Sequence, residues 1–138
     1  REYGWDKNRN ARYIGINSRL DEIQAAILNI KLKYLNKDNI ERREIAKYYN
    51  KNIQNKKIIK PLQNHNSYHV YHLYVIRLKN RKYLIKKLIN ENIIPGIHYK
   101  KAVHQQKLLA KYKYNLPVTE KIVDTVLSLP IYPSRKTL

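Results

Sequence analysis

Gly15-Ile16-Asn17-Ser18-Arg19-Leu20-Asp21-Glu22-Ile23-Gln24-Ala25-Ala26 is the stretch on which the fold turns. Before it, residues 1–16 are polar, basic and read as loop or extended chain. After it, Leu20, Ile23, Ile27, Ile30 and Tyr34 recur at steps of three and four, the period of an amphipathic helix. Ser18 with Asp21 fits a capping box, and Asn17 is an alternative cap. Neither Pro nor Gly occurs between Ile16 and Lys60, so the spacing predicts one long helix reaching about Asn52. Asn36 to Asn39 holds weak helix formers and is the place to expect a break.

Beyond Pro61 the pattern changes. His69 to Leu78 is rich in aromatic and β-branched residues and is apolar on both faces, which predicts a buried central strand. His72, inside it, is expected in the core. Leu84, Leu88 and Ile89 restore helical spacing over Arg81 to Asn92. Ile93 to Tyr99 reads as a turn entering a short strand. Lys107 to Tyr114 suits a short helix. Pro117 stands where a helix's first turn accepts proline, with Val118 to Val126 following. Leu127 to Pro133 is extended. Helices alternating with short strands predict an α+β fold: a long N-terminal helix, then a small antiparallel sheet with packed helices. The division expected is a loop over residues 1–16 and one α+β domain over residues 17–138.

Composition narrows the function classes. The chain has 138 residues, enough for one domain with a core. It has no Cys, which excludes disulfides and thiolate chemistry and fits a cytoplasmic setting. It starts at Arg1 and has no Met, as expected of a piece of a longer protein or of a processed or engineered chain. No apolar run approaches the roughly 20 residues of a membrane span. The net charge of +19 favours anionic ligands such as nucleic acid or phosphorylated compounds. Lys, Asn, Ile and Tyr, the residues of AT-rich codons, dominate and the basic residues are spread along the chain, so a solvated basic surface is favoured over a dedicated nucleic-acid site. His65, His69 and His72 lack a carboxylate or Cys cluster, and His69 and His72 fall on opposite sides of a strand, so no metal site is expected.

Several phrases together carry a resemblance. Gly15 to Ala26 is similar to a G-x-N-x-R-L-x-E-x-Q-A-A signature. Arg42-Arg43-Glu44-Ile45-Ala46-Lys47-Tyr48-Tyr49 is similar to R-R-x-I-A-x-x-Y. His72 to Arg77 is similar to H-L-Y-V-I-R, and Gly96-Ile97-His98-Tyr99 with His104 to G-I-H-Y-P-x-P-x-H. Pro117 to Glu120 and Ser128 to Pro133 match P-x-T-E and S-L-P-I-Y-P. In that order they resemble the DegT/DnrJ/EryC1/StrS family of sugar aminotransferases, which use pyridoxal phosphate. Arg1 to Trp5 resembles the members that aminate the 3-position of dTDP-linked keto-sugars.

The resemblance implies the C-terminal portion of a type I aminotransferase fold. It implies amino transfer, usually from glutamate, to a nucleotide-linked keto-sugar. Pyridoxal 5'-phosphate would be the cofactor. The Schiff-base lysine belongs, in the family, to a segment preceding G-x-N-x-R. No lysine here sits in that context, so the chain alone is expected to be inactive. Asn17 is implied to reach the cofactor phosphate of a partner subunit, against the simpler role of helix cap. Arg19 would support that phosphate, bind an acidic substrate group, or pair with Asp21 or Glu22. His98, Tyr99 and His104 are implied at the sugar-nucleotide pocket. If the segment is extended, one of His98 and Tyr99 faces the pocket and the other the core. Lys100 replaces the family's Pro, and Lys100 with Lys101 either meets a pyrophosphate or is an exposed basic pair. Leu20, Ile23, Ile27 and Ile30 are expected to need a covering surface, from a homodimer or from an N-terminal domain. The competing readings are a standalone basic module for nucleic acid or another polyanion, and a non-functional gene remnant.

Overall fold

The computed structural model describes residues 4, 6–8, 10, 12–16, 18 and 20–133. The chain divides into two compact units, residues 1–36 and 37–138.

In the first unit, Asp6 organises the leading loop. Its carboxylate accepts the backbone N–H groups of Asn8 (2.8 Å) and Asn10 (3.0 Å) and the Arg12 Nε–H (2.9 Å). The Asn10 and Asn8 amides, in that order, and then Arg12 hold that carboxyl below the usual range. Helix α1 runs Glu22–Leu32. The capping box expected from Ser18 and Asp21 does not form, because Asp21 is itself the N-cap and the helix starts a turn later. No α1 residue is buried. Ile23 is 77% exposed, Ile30 61% and Ile27 51%.

The single long helix expected is two. Tyr34 donates its N–H to Lys31 O at 3.0 Å, and helix α2 begins afresh at Leu35–Asn52. The weak formers Asn36 to Asn39 therefore sit in a new first turn instead of mid-helix. Asp38 is favoured there by the helix dipole.

The second unit is built around two short strands, β1 (Tyr74–Arg77) and β2 (Val126–Leu129). They pair antiparallel, with Tyr74 opposite Leu129 and Ile76 opposite Leu127. Single bridges extend the ladder on both sides: Ile59 pairs with Arg77, and Gly96 with Ser128. Helices α3 (Arg81–Asn90) and α4 (Pro117–Val123) complete the unit, with 3₁₀ turns at Val103–Gln105 and Ala110–Tyr112. The helix expected over Lys107 to Tyr114 shrinks to the second of those turns. This is the α+β arrangement the sequence predicts.

The core is Ala46, Tyr71, Tyr74, Ile76 and Leu127, flanked by Tyr49, Ile53, Leu84 and Leu88. Ala46, Tyr49 and Ile53 share one face of α2 and its end, and the small Ala46 lets that helix approach the sheet. Burial, then Tyr71 and Tyr49, raises the Tyr74 phenol to about 12. Its hydroxyl donates to Asn50 Oδ1 at 2.6 Å. Tyr49 donates to Pro130 O at 2.7 Å and tilts against Tyr74, with ring centroids 4.9 Å apart.

The strand is shorter than expected because Tyr71 has φ 48°, which breaks the extended run before it. Tyr71 N–H donates to His69 Nδ1 at 2.9 Å, and the two rings stack at 4.1 Å. Alternation fails there, so His72 is exposed rather than in the core. Basic residues serve the fold as carbonyl donors. Arg81 Nη1 donates to Val123 O (2.7 Å) and Val126 O (3.0 Å), and Lys60 Nζ donates to Asn50 O (2.7 Å) at the end of α2. Arg43 donates to His69 O at 2.8 Å and lies 4.1 Å above the Tyr68 ring.

Candidate functional site

Gly96 and Ser128 form the base of the candidate site. They exchange both backbone hydrogen bonds, at 2.9 and 2.8 Å, which pins the Pro95-Gly96 turn to the outer edge of β2. The chain then turns at His98, and the imidazole folds back over Gly96. A Cβ at Gly96 would lie 2.6 Å from His98 Cε1, so the absence of a side chain makes room for the ring. His98 Nδ1 lies 2.9 Å from Ser128 Oγ. The pair stands in a groove of about 320 Å³ whose walls include Leu73, Pro95, Pro130 and Ile131. Apolar walls with a few fixed polar groups are the usual make-up of a small-molecule site.

Tyr99 is 73% exposed, with its ring edge-on to His98 at 5.6 Å. The expectation that one of the two belongs to the core is corrected, since both are exposed. The reason is that they lie in a turn, where the two-residue alternation of a strand does not apply. Lys100 and Lys101 are exposed beside them.

His104 lies elsewhere. Its Nε2 is 3.0 Å from Glu120 Oε1, and its side chain is 9% exposed. Glu120 also accepts the Leu116 N–H at 3.2 Å at the start of α4. The hydrogen bond with His104, and then that with Leu116, holds the Glu120 carboxyl below its ordinary value. His104 is not among the residues lining the groove around His98.

Asn17 and Arg19 lie outside the described residues, so the fit of these two to a cofactor phosphate rests on the sequence. Among the described residues no group of three or more His, Asp or Glu side chains could hold a metal ion. Also among them, no helix is long and apolar enough to cross a membrane. Ser128 is the site residue that the sequence reading does not single out. The phrase Ser128 to Pro133 is noticed, yet a serine in an apolar run reads as strand filler until Gly96 is seen beside it.

Comparison with known proteins gives one consistent result. The model of the DegT/DnrJ/EryC1/StrS aminotransferase family matches residues 1–137. The dTDP-3-amino-3,6-dideoxy-alpha-D-galactopyranose transaminase of Aneurinibacillus thermoaerophilus is 45% identical over 134 residues, 96% of this chain and 37% of that protein. The UDP-2-acetamido-2-deoxy-3-oxo-D-glucuronate aminotransferase of Pseudomonas aeruginosa is 32% identical over 131 residues, 95% of this chain and 36% of that protein. Among solved structures, DesV of S. venezuelae superposes with a TM-score of 0.83 at 33% identity, over 94% of this chain and 36% of that one. NtdA of Bacillus subtilis with bound cofactor PMP gives 0.79 at 29% identity, over 95% of this chain and 33% of that one. The chain thus spans about a third of the length of the relatives it matches. Nothing in these likenesses supports a standalone polyanion-binding module.

Proposed function

We propose a function from one premise: the chain belongs to the DegT/DnrJ/EryC1/StrS aminotransferase family. Its residues form part of a transaminase that moves an amino group, from glutamate, to a nucleotide-linked keto-sugar. A dTDP-3-keto-6-deoxyhexose is the first substrate to test. The observation that carries this reading is the 45% identity over 134 residues to a transaminase named for a dTDP-linked 3-amino sugar.

Pyridoxal phosphate supplies the electron sink for such a reaction when bound. The residues of this chain do the binding and orienting. Asn17 gives a neutral amide donor to the cofactor phosphate of a partner subunit, and Arg19 supports that phosphate or an acidic substrate group. His98 presents its imidazole to an oxygen of the sugar nucleotide. Tyr99 flanks the ligand with an exposed ring, and the apolar groove walls keep water from the sugar's carbon face. His104, bound to Glu120, is assigned to holding the 3₁₀ turn against α4.

The test is a chimera in which this chain replaces the matched segment of the A. thermoaerophilus transaminase. The chimera is expected to aminate a dTDP-linked keto-sugar with glutamate as donor. A folded, cofactor-loaded chimera that aminates neither dTDP- nor UDP-linked keto-sugars, beside an active parent, would overturn the proposal. The chain by itself, treated with pyridoxal phosphate and borohydride, is expected to show no adduct at a specific lysine. One uniquely trapped lysine contradicts the placing of that residue in another segment.

A further inference from the structure

We infer that Ser128 is a positioning residue, one that fixes His98 in a single neutral tautomer and so decides what the imidazole can recognise. This rests on the reading of His98 as a ligand contact.

Ser128 is 4% exposed. Its backbone N–H and C=O are both committed to Gly96. Among the described residues its hydroxyl has one hydrogen-bond partner, His98 Nδ1 at 2.9 Å. A serine hydroxyl carries one proton and two lone pairs, and a neutral imidazole carries one N–H and one bare nitrogen. Two arrangements satisfy the distance. If Nδ1–H donates to Oγ, the buried hydroxyl proton is left with no acceptor among the described residues, which is costly. If Oγ–H donates to Nδ1, every buried group of the pair is satisfied. The second arrangement places the imidazole proton on Nε2.

His98 Nε2 has no partner among the described residues, and His98 lines the groove. The ring is therefore a fixed hydrogen-bond donor. It suits an acceptor oxygen on the ligand: a sugar carbonyl, a ring or hydroxyl oxygen, or a phosphoryl oxygen. The bare face of Gly96 beneath the ring holds it at the reach of Ser128. Ser128 thus acts through His98, to which its hydroxyl is bonded.

The experiment is ¹⁵N–¹H correlation spectroscopy of the imidazole nitrogens in the ¹⁵N-histidine-labelled chain, at a pH where His98 is neutral. Wild type is expected to show Nε2 protonated and Nδ1 bare, as one tautomer. Ser128→Ala is expected to lose that purity and admit the Nδ1–H form, and Ser128→Thr to restore it. Gly96→Ala, which pushes on Cε1, should lose it too while leaving Ser128 in place. A wild-type Nδ1–H signal, or the same tautomer population in all four chains, overturns the inference. If Ser128→Ala fails to fold, the wild-type and Gly96→Ala spectra still decide. The spectrum reports the His98–Ser128 pair itself, so it can succeed or fail independently of whether the chimera transaminates.

Discussion

Helix α1 and the second unit each carry family phrases, yet their side chains live in opposite surroundings. In the second unit, the phrase Arg42 to Tyr49 is used up within the chain. Arg43 meets His69 and Tyr68, Ala46 is fully buried, and Tyr49 bonds Pro130. In α1, no residue is buried, and Ile23, Ile27 and Ile30 are each more than half exposed. A motif in the first setting reports packing. A motif in the second reports a need for a surface that the described residues of its own unit do not supply, since exposed apolar stripes of this kind mark interaction faces. The proposed surface is a second subunit or another domain of the assembled enzyme.

The largest effect should come from the core. Tyr74→Ala removes a fully buried ring and is expected to cost about 3–5 kcal/mol of stability in urea denaturation. A loss under 1 kcal/mol would erase the contrast between the two regions. Arg81→Ala leaves the carbonyls of Val123 and Val126 without their donor and should cost about 1–3 kcal/mol by the same measurement.

Within the second unit, pH dependence comes next. The Tyr74 phenol is raised from 10.0 to about 12. An acid whose folded pKa is raised holds its proton more tightly in the folded chain. Its contribution is full below the unfolded value and is lost as pH rises through the folded one. Stability should therefore fall between pH 10 and about 12, and Tyr74→Phe should flatten that fall. Glu120 has the opposite sign. Its lowered pKa means a contribution present above the usual carboxylate range and lost as pH falls through the depressed value. Glu120→Gln should remove this acid-side slope, and an unchanged acid limb would show that the contact with His104 does not matter to folding.

The smallest change in stability is expected in α1. Ile27→Ser should change the unfolding free energy of the second unit in urea by less than about 0.5 kcal/mol, because the side chain is exposed. It should weaken self-association measured by sedimentation. A destabilisation as large as that of Tyr74→Ala would place Ile27 in a core and break the comparison.

Much of this was legible from residue spacing. Leu84 and Leu88 announce α3, Pro117 marks the start of α4, and Tyr74 to Arg77 lie in the second half of the predicted strand. What was missed has local physical causes. Tyr71 takes a left-handed conformation that no tyrosine advertises, so the strand's first half and the place of His72 were misjudged. The helix breaks at Lys33 and Tyr34, where neither residue is a breaker, and the weak formers that follow open the next helix. His98 was legible as a site residue, but Ser128 was not. Its role depends on Gly96 bridging to β2 and on a contact to a histidine 30 residues away in the chain. Asn17 and Arg19 remain assigned by resemblance and are proposed on that ground.

Amide hydrogen exchange, measured region by region in the chain alone and in the active chimera, tests the contrast most directly. The account predicts that amides of Tyr74 to Arg77 and Val126 to Leu129 are protected alike in both. It predicts that α1 exchanges fast in the chain alone, at low concentration, and becomes protected in the chimera. Protection of α1 in the dilute chain equal to that of the sheet would contradict it.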